Sequence, residues 1–194
     1  MRLLRLVLAL PLLAPAALAL AACDDATGIG QAVVLTDTIT IGAPSVAADT
    51  VPSALDVVSL DQFSIGGGVF PERPAQADQW DVALRLQGGT FSLVPPGAVG
   101  LEGRRAGITA PIQGVTFEGL DEAPPSSRFN TTTGVPLAVG NVHVVRSRQY
   151  SLGGGVCWQY AKVQPVALDA AAGTATLAVA TSARCADTRL SAED

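Results

Sequence analysis

The sequence predicts an all-β fold, a single sandwich or barrel-like domain, and three observations carry that expectation. From about Asp56 onward, short β-favouring runs recur between Gly/Pro turns. Helical periodicity of useful length is confined to the first residues, before Cys23. A glycine-containing stretch occurs twice, as QFSIGGGV at 62–69 and QYSLGGGV at 149–156. Many short strands without intervening helices are the pattern of a sandwich or barrel.

The chain opens MRLLRLVLALPLLAPAALALAAC. Arg2 and Arg5 form a basic segment, and Leu6 to Ala22 is an apolar run ending in small side chains. This is the layout of a secretory signal peptide over residues 1–22. A membrane-spanning helix would need about 20 apolar residues, and Pro11 and Pro15 weaken a spanning reading further. The run ends Leu20-Ala21-Ala22-Cys23, which resembles the lipobox of bacterial lipoproteins. The resemblance covers the leader alone. It implies cleavage before Cys23, a lipid-modified Cys23 thiol, and a protein held on a membrane of the cell envelope, facing the periplasm or the exterior. Acyl chains contribute about 0.8 kcal/mol per buried methylene, so several together anchor firmly. Asp24 and Asp25 follow the cysteine and leave the choice between inner and outer membrane open.

Cleavage removes Arg2 and Arg5, so the mature chain is more acidic than the −5 of the full sequence. Its basic residues cluster only at Arg104-Arg105 and Arg146/Arg148, which argues against nucleic acid as a partner. Acidity of this kind serves solubility.

Residues 23–31 are small and polar and suit a tether. QAVVLTDTITI, at 31–41, alternates well, with Val33, Leu35, Ile39 and Ile41 on one face, and predicts a half-buried strand. GAPSVAADTVPSAL then reads as a linker, so residues 32–55 are expected to be a strand plus linker ahead of a β domain at 56–190. Within that domain strands are expected at 56–65, 80–86, 90–94, 111–117, within 135–150, at 156–168 and at 174–182.

The repeated stretch extends beyond its glycines. Val57-Val58 matches Val144-Val145, and after a short deletion Val82-Ala83-Leu84 matches Val166-Ala167-Leu168, while Gly89-Thr90 matches Gly173-Thr174. A duplicated β unit is therefore expected over about 57–94 and 144–178. A phosphate-cradling loop wants a helix N-terminus after its glycines. Here Val69-Phe70-Pro71 and Val156-Cys157-Trp158 follow, which are β-like. Gly66, Gly67, Gly68, Gly153, Gly154 and Gly155 are accordingly read as structural corners.

With Cys23 assigned to lipid, Cys157 and Cys185 remain, and in an oxidising compartment such a pair predicts a disulfide. A regular hairpin centred on Ala171 would set them opposite one another, with Pro165 marking an edge or a bulge.

Catalytic signals are sparse. His143 is the sole histidine and sits in an alternating run, and no Gly-x-Ser-x-Gly elbow accompanies it. Ser64 and Ser151 fall in the repeated stretches. Asp121-Glu122 and Asp78/Asp81 are carboxylate pairs of the sort a glycosidase uses, although neighbouring loop carboxylates are usually solvated. No metal-ligand spacing is present, so no catalytic residue, metal or cofactor is assigned. The expected role is that of a lipid-anchored envelope module with a structural or protein-interaction function. The alternatives are a carrier of a small apolar ligand in a barrel cavity and a hydrolase using loop carboxylates.

Overall fold

The computed structural model describes residues 33–61 and 63–192, which belong to one packed unit. The signal segment and Cys23 lie outside the described residues.

Among the described residues, thirteen strands follow one another with short 3-10 turns between some of them. They are β1 Val34–Gly42, β2 Ala54–Asp56, β3 Gly67–Val69, β4 Val82–Gln87, β5 Thr90–Val94, β6 Gly107–Thr109 and β7 Phe129–Asn130. The chain continues with β8 Val135–Pro136, β9 His143–Arg146, β10 Tyr150–Leu152, β11 Gly155–Cys157, β12 Tyr160–Asp169 and β13 Thr174–Ser182. A six-stranded sheet has the order β1-β13-β12-β9-β6-β7, and a five-stranded sheet the order β3-β2-β4-β5-β8. All their pairings are antiparallel. β10 and β11 form a separate hairpin.

The two sheets face each other across one core, so the domain is a sandwich. Alternation puts Ile39, Ile41, Val145, Val163, Leu177 and Val179 of the larger sheet against Leu55, Val82, Leu84, Phe91 and Leu93 of the smaller. Each such side chain, fully buried, contributes about 1.5–3 kcal/mol. The other face of the larger sheet carries Val144, Phe129 and Tyr160, covered by Leu120, Ala123 and Leu190 from loops.

Several expected strands fall where the pattern put them, β5 and β13 residue for residue. Others differ. Residues 111–117 form an irregular segment rather than a strand, and Ile112, Val115 and Phe117 pack onto the outer face of the larger sheet. The run expected at 56–65 leaves the sheet after Asp56. β1 pairs along its whole length with β13, so it and the connection after it belong to the same packed unit as everything beyond Asp56.

The expected duplication has a counterpart in strand order, although β2 lies ahead of the expected start at 57 and Val57-Val58, unlike Val144-Val145, lie outside the strands. β2-β4-β5 in the smaller sheet and β9-β12-β13 in the larger are the same three-stranded antiparallel arrangement. In each, the first strand, β2 or β9, lies ahead of the glycine triplet, and the middle strand, β4 or β12, pairs with it and then turns back as a hairpin.

The β12–β13 hairpin explains the cysteines. Near the turn, Asp169 faces Thr174 and Ala167 faces Thr176, a register centred between Ala171 and Ala172. The register shifts between Pro165 and Ala167, and beyond that bulge Pro165 faces Leu177 and Ala161 faces Thr181, now centred on Ala171. Continued past the strand ends, that register sets Cys157 opposite Cys185, and the two form a disulfide with a Cα separation of 5.3 Å. Pro165 is tolerated because β9 has already ended beside Val163, so no ladder partner there needs its missing N–H.

Candidate functional site

The chief polar cluster joins both sheets at one end of the sandwich. Asp56 closes β2, Asp81 immediately precedes β4, and Arg148 follows β9. The Arg148 guanidinium donates to both oxygens of Asp56, at 2.8 and 3.0 Å, and to Asp81 at 3.1 Å. Asp81 is fully buried and also accepts the backbone N–H of Val57 at 2.9 Å and of Arg148 at 2.7 Å. Two carboxylates thus share one guanidinium in a largely dry setting. Burial, then the Asp56 charge, pushes the Asp81 carboxyl up to about 7, against the pull of Arg148 and the two N–H donors. Burial opposes the charge on Arg148, but its hydrogen bonds and attraction to the two aspartates outweigh that and hold it above its ordinary value.

Beside this trio, the Gln159 amide accepts from the Ser59 N–H at 2.7 Å and donates to the Ser59 and Ala183 carbonyls at 3.0 and 2.9 Å. One side chain therefore stitches the segment after β2 to the end of β13. Chemically, the trio and Gln159 fix backbone positions. Asp81 has no surface, and only Asp56 reaches the wall of a hollow of about 330 Å3 shared with Asp61, Ser64, Gln76 and Gln79.

The first glycine triplet is built onto that cluster. A Cβ on Gly66 would lie 2.5 Å from Cγ of Asp56, so the corner closes over the carboxylate only because glycine is there. Gly67 has φ +83° and pairs with Asp56, and Gly68 pairs with Leu55. The second triplet differs. Gly153 and Gly154, at φ +58° and +84°, make the tight turn of the β10–β11 hairpin, and Gly155 opens β11 opposite Leu152. The same eight-letter motif thus builds a corner packed on an aspartate in one copy and an open hairpin in the other.

The remaining candidates are dispersed. His143 is fully buried, on the face opposite Val142 and Val144; its Nδ1 lies 3.1 Å from the Thr109 carbonyl, and Nε2 has no hydrogen-bond partner among the described residues. Burial holds its pKa below the ordinary value, partly offset by that hydrogen bond. Ser64 donates to Asp61, and Ser151 is exposed on β10, so neither meets the histidine. The Asp78/Asp81 pair points opposite ways: Asp78 is 88% exposed and bonds Arg104, whereas Asp81 is interior. Asp121 and Glu122 are exposed, and Glu122 accepts from Thr188 at 3.1 Å. Arg104 donates to the Ala77 carbonyl at 2.7 Å and lies over the Trp80 ring.

Sequence reasoning missed the trio and Lys162. The latter is buried, donates to the Leu120 carbonyl at 3.2 Å and lies over the Phe117 ring. Among the described residues no group of three or more His, Cys, Asp or Glu is arranged to hold a metal ion. No family model, curated protein or solved structure matches the chain.

Proposed function

We propose that this chain is a lipid-anchored, extracytoplasmic β-module of a bacterial cell envelope that acts through contacts with other envelope components. The disulfide carries the reading. With Cys23 reserved for acylation, the other two cysteines pair with each other, as is common in an oxidising compartment and rare in a reducing one. The leader and the bridge thus point to the same side of the membrane by independent chemistry.

Two further features support a module that works by its surface. The sandwich interior is filled by side chains from both sheets. Asp81 is closed off from the surface and engaged by Arg148 and by backbone N–H groups, and Asp56 is held by the same guanidinium. Such a protein, held to a membrane by acyl chains, presents its loops and sheet faces to neighbours.

A Cys23→Ser variant tests the anchor. It is expected to leave the membrane fraction and to lack the mass of the lipid; a variant still acylated and membrane-bound would overturn the reading. Crosslinking in intact cells is expected to capture an envelope protein. Intact-mass analysis should find no alkylatable thiol at Cys157 or Cys185.

A further inference from the structure

We propose that the end of the sandwich where the chain enters faces the lipid bilayer, and that the loop tips Leu60, Phe63, Leu152 and Val156 dip into its interface. This rests on the acylation of Cys23 proposed above.

Three observations converge on that end. The first is the point of entrance. Val34 faces Ser182, and the Val33 carbonyl accepts the Ala183 N–H at 2.8 Å. Ala183 is bonded through Gln159 to Ser59, and Cys185 is bridged to Cys157 at the foot of the β10–β11 hairpin. The first described residue therefore sits beside the roots of both the 59–66 loop and the hairpin.

The second is exposure. Phe63 is 88% exposed, Leu60 72%, Val156 62% and Leu152 52%, four of the five most exposed large apolar side chains among the described residues. All four belong to that loop or that hairpin. The other member of the five, Val139, lies toward the opposite end, where Leu137 donates to the Phe91 carbonyl and Gly140 to that of Pro165. Exposed apolar groups gathered on neighbouring loops mark a surface that meets another apolar phase.

The third is reach. Val33 lies ten residue steps after Cys23. A chain of that length spans at most about 35 Å and as a flexible coil about 17 Å. A strand the length of β1 or β13 adds about 30 Å before the far end begins. A bilayer holding the acyl group thus meets the near end first. Because the anchor keeps the tips at high effective concentration, each needs only weak affinity for lipid. The trio, Gln159 and the disulfide hold the roots of these loops in place beneath the tips.

The test uses the full chain, acylated and reconstituted in vesicles of phosphatidylethanolamine and phosphatidylglycerol containing brominated lipid. Phe63→Trp and Val139→Trp variants are compared with the parent, whose Trp80 and Trp158 set the background. The tryptophan at position 63 is expected to be quenched by the brominated chains and the one at 139 not. If the protein carries lipid and floats with the vesicles but neither added tryptophan is quenched, the orientation is wrong and the anchor stands. If the mass shows no lipid and the protein does not float, both readings fall. If position 63 is unquenched in vesicles and crosslinks to a protein in cells, this end belongs to a protein partner and the proposal is overturned.

Discussion

At the scale of single residues, two buried titratable groups act on stability in opposite senses. His143 has a folded-state pKa below its unfolded value near 6.5, because burial penalises the imidazolium. Its contribution is therefore full above about pH 6.5 and is lost as pH falls from there toward the folded value, where the unfolded chain takes up a proton that the native state refuses. His143→Leu removes the titration and the partnerless Nε2, at the cost of one hydrogen bond, worth about 1 kcal/mol. Denaturant titrations are expected to show wild type losing stability between pH 6.5 and 5 and the variant losing less. Asp81 behaves conversely. Its carboxyl is raised from 3.8 to about 7, so the folded chain keeps a proton that the unfolded chain releases. That stabilising contribution is full at low pH and declines as pH rises from about 4 to 7. Asp81→Asn, which mimics the protonated form, is expected to abolish this decline. Its stability relative to wild type should therefore improve steadily across that window; an unchanged difference would show that Asp81 stays ionised in the native state.

The glycine triplets show, at the scale of elements, how one motif takes two jobs from its surroundings. Gly66 closes on the side chain of Asp56, which Arg148 holds from the other side, so an added methyl has nowhere to go. Gly153 needs only a positive φ, and a Cβ there would meet open space. Gly66→Ala is thus expected to cost about 3 kcal/mol, in the range of overpacked or network-breaking substitutions, and Gly153→Ala about 1 kcal/mol for the left-handed backbone alone. Thermal melts of the two variants give the comparison, and equal losses would mean that Asp56 yields freely. Local pattern made β5, β13, the glycine corners and the cysteine pair legible, since each depends on alternation, turn chemistry or hairpin register. It could not give the trio, because Asp56, Asp81 and Arg148 lie 25 to 92 positions apart and meet only once both sheets have formed. Residues 111–117 misled for a related reason. Their apolar side chains pack half-buried on a sheet face, and that packing looks the same in a sequence whether or not a ladder partner exists.

For the whole molecule the decisive question is where the cooperative unit begins. Composition suggests a break after residue 55, since 42–55 is rich in Pro, Ala and Ser. The packing says otherwise. β1 pairs with β13 at nine positions from Val34 to Gly42 and sends Ile39 and Ile41 into the core, while Leu55 is fully buried beside them. A chain starting at Asp56 forfeits all three side chains, about 5–9 kcal/mol of apolar burial, against a net stability that for domains of this kind is about 5–15 kcal/mol. It also turns β13 into an exposed edge next to Leu177 and Val179, which invites pairing between chains. A chain starting at Val33 keeps every one of these contacts. The expected result is that the Val33 chain melts cooperatively and elutes as a compact species, whereas the Asp56 chain aggregates or shows no transition. The duplicated units make the comparison sharper. β2-β4-β5 and β9-β12-β13 share a strand order, yet only the second is flanked by β1, which covers β13 on its open side. If the chain from Asp56 melted like the longer one, neither β1 nor Ala54 and Leu55 of β2 would be needed for the cooperative unit.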